Sequence, residues 1–224
     1  MTDHNQKQAF LQYEANKWFE RNFKAIKSYD SNNDKIISLL KSYRIQPRNV
    51  LEVGCSGGYR LNGIKQSFKD VQVYGIEPSD EAIKYGKQYY PDVNFLHGTV
   101  DNMSQLGDAS FDVVIVGFVF YVVDRKLFLR SLAEIDRVLK DGGFLIIVDF
   151  FAESAIKRNY KHINEFSAYS FKQLYDEAFT ATQLYHLISR SCYNHETLAL
   201  EAIEDFQNMY SISLLRKDLD ASYK

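Results

Sequence analysis

The chain has 224 residues, with 27 lysine and arginine residues, 29 aspartate and glutamate residues, and a formal net charge of −2 at pH 7. This length suits one sizeable α/β domain with small additions. The nearly balanced charge argues against a nucleic-acid-binding protein that relies on bulk electrostatics.

Other global features exclude further classes. The polar N-terminus, residues 1–8, predicts no secretory signal, and the longest apolar stretch, Val113 to Val123, is too short to span a bilayer. Cys55 and Cys192 form neither a metal-binding nor a disulfide pattern, which is typical of a reducing cytosol. We therefore expect a cytoplasmic protein with no metal site.

The first 45 residues predict two helices. Residues 8–28 carry apolar and aromatic side chains at helical spacing, and Asn33 or Asp34 can cap a second helix that runs to about Tyr43. We expect the first helix to cover the functional site as a lid. Dimerisation through the same apolar face is the alternative.

Residues 46–150 alternate between predicted strands and helices. This alternation predicts a parallel sheet with helices on both faces. The predicted strands are Asn49–Val53, Val71–Ile76, Val93–Leu96, Phe111–Val116 and Phe144–Val148, and the predicted helices run over 59–68, from Ser79 or Asp80 onward, and over 125–140.

The pattern changes in the last third. Residues 151–180 are polar and aromatic without a clean period, whereas 184–193 and 210–216 predict two further strands with a helix, 195–208, between them. The chain is therefore expected to end in an antiparallel pair of strands. We predict a single domain, 1–224, with N-terminal helices (1–45), a cofactor-binding core (46–150) and a substrate-facing part (151–224).

A glycine-rich turn directly follows the first predicted strand. The strand ends in an acid, Glu52, and the second predicted strand is followed by another, Glu77. This arrangement is typical of a site for an adenosine-bearing cofactor. The dinucleotide pattern G-x-G-x-x-G fails, because Ser56 and Tyr59 stand where glycines are needed, and no P-loop Gly-Lys-Ser/Thr occurs.

Five segments in series resemble the motifs of the class I S-adenosylmethionine-dependent methyltransferases. The first is the turn, Glu52-x-Gly54-x-Ser56-x-Gly58, and the others are 74–79, 98–103, 111–116 and 137–145. The resemblance implies a Rossmann-like α/β fold whose seven-stranded, mostly parallel sheet ends in an antiparallel pair, with S-adenosyl-L-methionine as the cofactor.

The resemblance also implies the cofactor-binding residues. In it, Glu77 holds both ribose hydroxyls, which suits a carboxylate with two acceptor oxygens. Ser56 stands where the family usually has glycine, which costs backbone freedom only if φ is positive. Thr99 stands where aspartate is common, so Asp101 or a backbone group would contact adenine. The full predicted set is Glu52, Gly54, Cys55, Ser56, Gly58, Glu77, Pro78, Thr99, Val100, Asp101, Gly117 and Phe118.

Methyl transfer from a sulfonium mainly requires positioning, and a base is needed only if the acceptor holds its proton tightly. Three candidates for catalytic residues follow the later strands. Tyr121 is the nearest hydroxyl after the fourth strand, Asp149 follows the fifth, and His162 lies in a basic-aromatic cluster, 157–162. Core packing, a solvated acid and a surface histidine are the respective alternatives.

We expect methyl transfer to an oxygen or nitrogen of a small-molecule acceptor, such as a sugar or an anionic metabolite, by a monomer or homodimer. The aromatic lid and two short segments, 123–125 and 214–218, resemble small-molecule methyltransferases linked to bacterial surface-sugar pathways. No nucleic-acid or membrane partner is expected. The alternatives are a regulatory protein that binds the cofactor without catalysis, and an RNA or protein methyltransferase.

Overall fold

A computed structural model describes residues 6–163, 167–201 and 208–220 of the chain. The helices in these ranges are α1 (Gln6–Tyr13), α2 (Ala15–Lys27), α3 (Lys35–Ser42), α4 (Tyr59–Ser67), α5 (Asp80–Tyr89), α6 (Phe128–Val138) and α7 (Glu177–Thr180). The strands are β1 (Asn49–Val53), β2 (Gln72–Glu77), β3 (Asn94–His97), β4 (Phe111–Gly117), β5 (Leu139–Phe150), β6 (Ile156–Asn159), β7 (Tyr169–Lys172), β8 (Tyr185–Asn194) and β9 (Met209–Lys217).

Seven of these strands form one sheet in the order β3-β2-β1-β4-β5-β9-β8. The first five are parallel, and β9 runs antiparallel to both β5 and β8. The predicted Rossmann-like sheet with an antiparallel C-terminal pair is therefore confirmed. Because β1, β2 and β4 are parallel neighbours, their carboxyl ends meet at one edge, where ligands of open α/β sheets bind.

Helices cover both faces of the sheet, which explains why its central strands read as continuous apolar runs. On one face, Ile36 and Leu40 of α3 and Leu61 of α4 pack on β1 and β4. On the other face, Ile135 of α6 and Phe179 of α7 pack against the opposite side of the same strands. The core therefore lies in two layers, and the cofactor edge is held by strands that are buried on both sides.

The sequence predicts a single N-terminal helix over 8–28, but the structure interrupts this helix at one position. The helix breaks at Glu14, whose φ of −118° lies outside the helical range, and continues as α2. The Glu14 carboxylate accepts a hydrogen bond from Tyr160 Oη at 2.6 Å, although the two residues are 146 positions apart in the chain. Side-chain periodicity cannot reveal such a partner, so the break was invisible in the sequence.

The polar-aromatic segment after β5 contains a separate antiparallel pair, β6 and β7. Gln6 of α1 connects this hairpin to the 3₁₀ turn Phe120–Val122. Its side-chain amide donates to the backbone carbonyls of Val122 (2.9 Å) and Tyr169 (3.0 Å) and accepts from Tyr169 N–H at 3.1 Å. The N-terminus, the loop after β4 and the hairpin thus form one connected layer.

Two predicted helices differ from the structure. The helix predicted over 125–140 is confined to α6, because Leu139 already pairs with Phe111 of β4 and the chain continues as β5. The helix predicted over 195–208 is wrong over 195–201, where a turn brings Leu200 back to pair with Tyr193. The rest of that prediction, 202–207, lies outside the described residues.

Candidate active site

A cavity of about 930 Å³ opens at the carboxyl edge of β1, β2 and β4. This volume is at the upper end of the range for ligand pockets, ~300–1,000 Å³. Its walls come from α1 and α2, the turn after β1, the loop after β3, the end of β4 and Tyr160 of the hairpin segment. The cavity therefore joins the predicted cofactor site to a chamber under the N-terminal helices.

The turn after β1 needs its glycines for two reasons. Gly54 and Gly58 have φ angles of 73° and 77°, a region that side chains disfavour. A Cβ at Gly58 would overlap the Phe95 ring, and a Cβ at Gly54 would collide with Val119. The turn can therefore adopt this conformation and pack against Phe95 and Val119 only because these two residues have no side chain.

Ser56 also lies in the left-handed region, with φ of 49°. The condition under which serine costs backbone freedom at this glycine position is therefore met, and a non-glycine residue there costs about 1–2 kcal/mol. Its hydroxyl is buried and has no hydrogen-bond partner within the described residues. Ser56 lines the cavity, so a bound ligand can satisfy this hydroxyl.

Glu77 at the end of β2 clamps the turn after β1. Its Oε2 accepts the Ser56 N–H at 2.8 Å, and its Oε1 accepts the Ser79 N–H at 2.9 Å. Burial raises the pKa of Glu77 to about 7, against the two backbone N–H groups that favour the charged form. Each oxygen keeps a lone pair for a further donor, as two vicinal ribose hydroxyls require.

The loop after β3 forms the opposite wall, with Thr99, Val100, Asp101 and nearby Pro78 all lining the cavity. Lys7 of α1 donates to Asp101 Oδ2 at 2.8 Å. Burial acts against ionisation of Asp101, but the Lys7 ammonium and the Thr99 hydroxyl together hold its pKa below the usual value. The N-terminal helix is thus fixed directly over the predicted adenine wall.

Arg60 of α4, which lines the cavity together with Asp34, connects two carboxylates. Its Nη1 donates to Glu52, and its Nε donates to Asp34 Oδ2 at 3.0 Å. Asp34 Oδ1 also accepts the N–H groups of Ile36 (2.8 Å) and Ile37 (3.0 Å), which caps α3 as the sequence predicted. One buried network therefore fixes the N-terminal helices to the strand that carries the cofactor turn.

The predicted catalytic residues separate in the structure. Tyr121 lines the cavity. His162 also lines it but is exposed, and the centroid of its ring lies 5.4 Å from that of the Tyr160 ring. Asp149 does not line the cavity: it is 1% exposed and accepts from Tyr121 N–H (3.2 Å) and Phe150 N–H (2.8 Å). The solvated-acid alternative is therefore wrong, and burial raises the Asp149 pKa to about 8.

The structure brings most of the predicted cofactor residues together. Gly117 and Phe118, at the end of β4, lie on the same cavity wall as the glycine turn. Glu52, Cys55 and Gly58 do not line the cavity: Glu52 lies under Arg60, Cys55 packs against Gly75, and Gly58 begins α4. The predicted residues that line it are Gly54, Ser56, Glu77, Pro78, Thr99, Val100, Asp101, Gly117, Phe118, Tyr121 and His162.

Sequence reasoning missed a polar cluster on the chamber side. Glu14, 3% exposed, accepts from Tyr160 Oη and is paired with both Nη atoms of Arg21. The only local signal is the placement of Glu14 and Arg21 two helical turns apart. Over the described ranges, no group of three or more His, Cys, Asp or Glu residues could hold a metal ion, and no helix has the length and apolarity to cross a membrane.

Comparisons with known proteins define the family. A family model described as a methyltransferase domain matches residues 51–147. A ubiquinone/menaquinone biosynthesis C-methyltransferase of Campylobacter jejuni is 24% identical over 118 residues, 50% of this chain and 48% of that protein. A tRNA N(3)-methylcytidine methyltransferase of Schizosaccharomyces pombe is 29% identical over 113 residues, 46% and 45% of the two chains. The chain spans about half the length of these curated relatives.

A solved structure matches over nearly the whole fold. The 1,6-didemethyltoxoflavin-N1-methyltransferase of Burkholderia thailandensis, solved with 1,6-didemethyltoxoflavin and S-adenosylhomocysteine, has a TM-score of 0.68 at 13% identity. The match covers 97% of this chain and 92% of that one. Residues 51–147 form a methyltransferase domain of the S-adenosylmethionine-dependent class, and its cofactor is S-adenosyl-L-methionine. The predicted family and cofactor are confirmed.

The raised pKa of Glu77 predicts how cofactor affinity depends on pH. Because ribose hydroxyls donate to the ionised carboxylate, the affinity for S-adenosylhomocysteine should rise with pH up to the pKa of about 7 and level off above it. Calorimetric titrations across this pH range should show weaker, pH-independent binding by Glu77→Gln. A variant profile parallel to that of the wild type would contradict the assignment.

Arg60 generates a prediction for stability. Arg60→Met leaves the Glu52 and Asp34 carboxylates without their shared cation, and breaking such a buried pair costs about 3–5 kcal/mol. Urea unfolding measures this loss. The Glu52→Gln/Arg60→Met double variant removes one of the two uncompensated charges, so it should be less destabilised than Arg60→Met. Equal stability of the single and double variants would refute the network.

Asp149 generates a prediction for pH dependence. Its raised pKa means that the folded state holds a proton that the unfolded state loses above about pH 4, so ionisation opposes folding between about pH 4 and about pH 8. Asp149→Asn should therefore gain stability relative to the wild type as pH rises, by up to about 1.4 kcal/mol per pH unit. Denaturant unfolding at several pH values measures the difference in unfolding free energy between the two proteins. A difference that stays constant with pH would contradict the prediction.

Proposed function

We propose that this chain transfers the methyl group of S-adenosylmethionine to an oxygen or nitrogen of a small-molecule acceptor. The observation that carries the proposal is the covered chamber next to the cofactor wall. Lys7 joins α1 to Asp101, and Glu14 joins the helix break to Tyr160. A compact acceptor fits under such a cover, whereas a folded RNA or protein would need an open approach to the methyl group.

The three chain segments have separate roles in this proposal. Residues 1–45 act as a lid that excludes water from the sulfonium. Residues 46–150 hold the cofactor, with Glu77 on the ribose, the Thr99–Asp101 loop at adenine, and Gly54 and Ser56 beside the methionine moiety. Residues 151–224 face the acceptor through Tyr160, His195 and Tyr210, which all line the cavity.

The chemistry places modest demands on the protein. The bound cofactor supplies a methyl group that is already activated by its positively charged sulfur. Gly117 and Phe118 line the cavity at the end of β4, where the acceptor is proposed to bind. Phe118 and Tyr121 offer ring faces that stabilise a cation. Positioning the two reactants in line is then the main contribution of the protein.

Tyr121 and His162 remain the proposed acceptor contacts, because both line the cavity. Asp149 takes a positioning role: it holds the backbone of the Tyr121 turn and has no access to the cavity. The bound 1,6-didemethyltoxoflavin of the solved neighbour supports a small molecule as acceptor, whereas the tRNA methyltransferase among the relatives favours RNA as the competing candidate.

Labelled methyl transfer tests this function. The protein is incubated with methyl-labelled S-adenosylmethionine and, in parallel, with a small-metabolite extract and with bulk RNA and protein. Label should appear in the small-molecule fraction, and Glu77→Ala should abolish it. Label in RNA or protein alone would establish the competing candidate. Binding of S-adenosylhomocysteine without transfer to any fraction would support the regulatory alternative.

A further inference from the structure

The chamber beside the cofactor wall is bounded by aromatic rings. Phe118, Phe150 and His195 form one group, in which the Phe118–Phe150 centroids lie 5.1 Å apart and the Phe150–His195 centroids lie 5.0 Å apart. Phe10 and Tyr160 form a second group, with centroids 4.8 Å apart. All five residues line the cavity. The lining of the chamber therefore contains rings from both groups.

Tyr121 connects the two groups. Its ring centroid lies 5.2 Å from that of Phe150 and 6.3 Å from that of Tyr160. The interplanar angles of these contacts are 73° and 53°, so these rings are not stacked face to face. Each ring also lines the cavity, so part of its surface is open to a flat ligand.

A buried carboxylate lies beside these rings. Glu14 lies at the helix break beside Phe10, is almost fully buried, and accepts the 2.6 Å hydrogen bond from Tyr160 Oη. Arg21 balances its charge. A ligand that fills the chamber therefore meets ring faces along its sides and a hydroxyl–carboxylate pair at one end.

These surroundings favour a flat ring over a sugar. A sugar carries hydroxyls around its whole edge, and each hydroxyl that is buried without a partner is costly. Phe118, Phe150 and Phe10 line the cavity with rings that carry no hydrogen-bonding group. A flat ring with a single acidic group uses both features of the chamber.

We propose that the acceptor is a planar aromatic or heteroaromatic molecule whose O–H or N–H faces Tyr160 and Glu14. This inference rests on the proposed function. The acceptor oxygen or nitrogen forms the new bond to the methyl carbon, the carbon–sulfur bond breaks, and its electron pair stays on sulfur. The acceptor proton passes to Tyr160, which gives its own proton to Glu14, so charge and atoms balance.

The assignment is first tested by binding to the protein loaded with S-adenosylhomocysteine. Calorimetry compares hydroxylated flat rings (phenol, naphthol, hydroxyquinoline and xanthine) with decalol, the saturated counterpart of naphthol, and with hexoses. The best flat ring should bind about tenfold more tightly than the saturated ring and the hexoses. Phe150→Leu should remove most of that preference, while Tyr74→Leu, which removes a ring outside the cavity, should leave it intact.

The role of Glu14 is tested by methyl transfer to the best flat ring. Glu14→Gln keeps the shape of the side chain but cannot take a proton, so kcat should fall with KM little changed. Tyr160→Phe should lower kcat as well. A kcat equal to that of the wild type, or a fall in kcat that comes with an equally large rise in KM, would overturn the proton assignment.

The outcomes separate this inference from the proposed function. Failure of S-adenosylhomocysteine to bind would remove both. Binding of S-adenosylhomocysteine together with hexose or decalol binding as tight as that of the flat rings would overturn the aromatic acceptor alone. The same holds if the loaded protein binds none of the flat rings, or methylates a sugar.

Discussion

The hydrogen bonds from two backbone N–H groups to Glu77 are the interaction on which the rest of the site depends. They join the end of β2 to the turn after β1 and hold Ser56 in a left-handed conformation that serine otherwise avoids. This fixed turn places Gly54 on the cavity wall. The same carboxylate also lines the cavity, so one residue both builds the turn and faces the proposed ribose site.

A second buried network holds the N-terminal segment in place. Arg60 and Asp34 connect α3 to β1, while Lys7, Gln6 and Glu14 connect the two leading helices to the adenine loop and to the hairpin β6–β7. Each connection is a charged or amide group with a defined partner. Cover and cofactor wall are thus coupled by polar contacts that can form and break, which suits a lid that must open for exchange.

The sequence predicted the parts of the fold that local patterns encode. Buried parallel strands are continuous apolar runs, so β1, β2, β4 and β5 were visible, and Asp34 and Ser79 cap their helices as expected from their chemistry. Ser56 was recognised as a departure, but its positive φ was not predictable. The Glu14–Tyr160 and Arg60–Asp34 contacts join segments far apart in the chain, and short-range periodicity does not report them.

We propose that Glu77 recognises the ribose while it holds the turn. The most direct measurement compares the affinity of the wild type and of Glu77→Gln for S-adenosylhomocysteine and for an analogue that lacks both ribose hydroxyls. The wild type should strongly prefer the hydroxylated ligand, and the variant should lose most of that preference while it still folds. An equal preference in both proteins would show that Glu77 does not recognise the ribose.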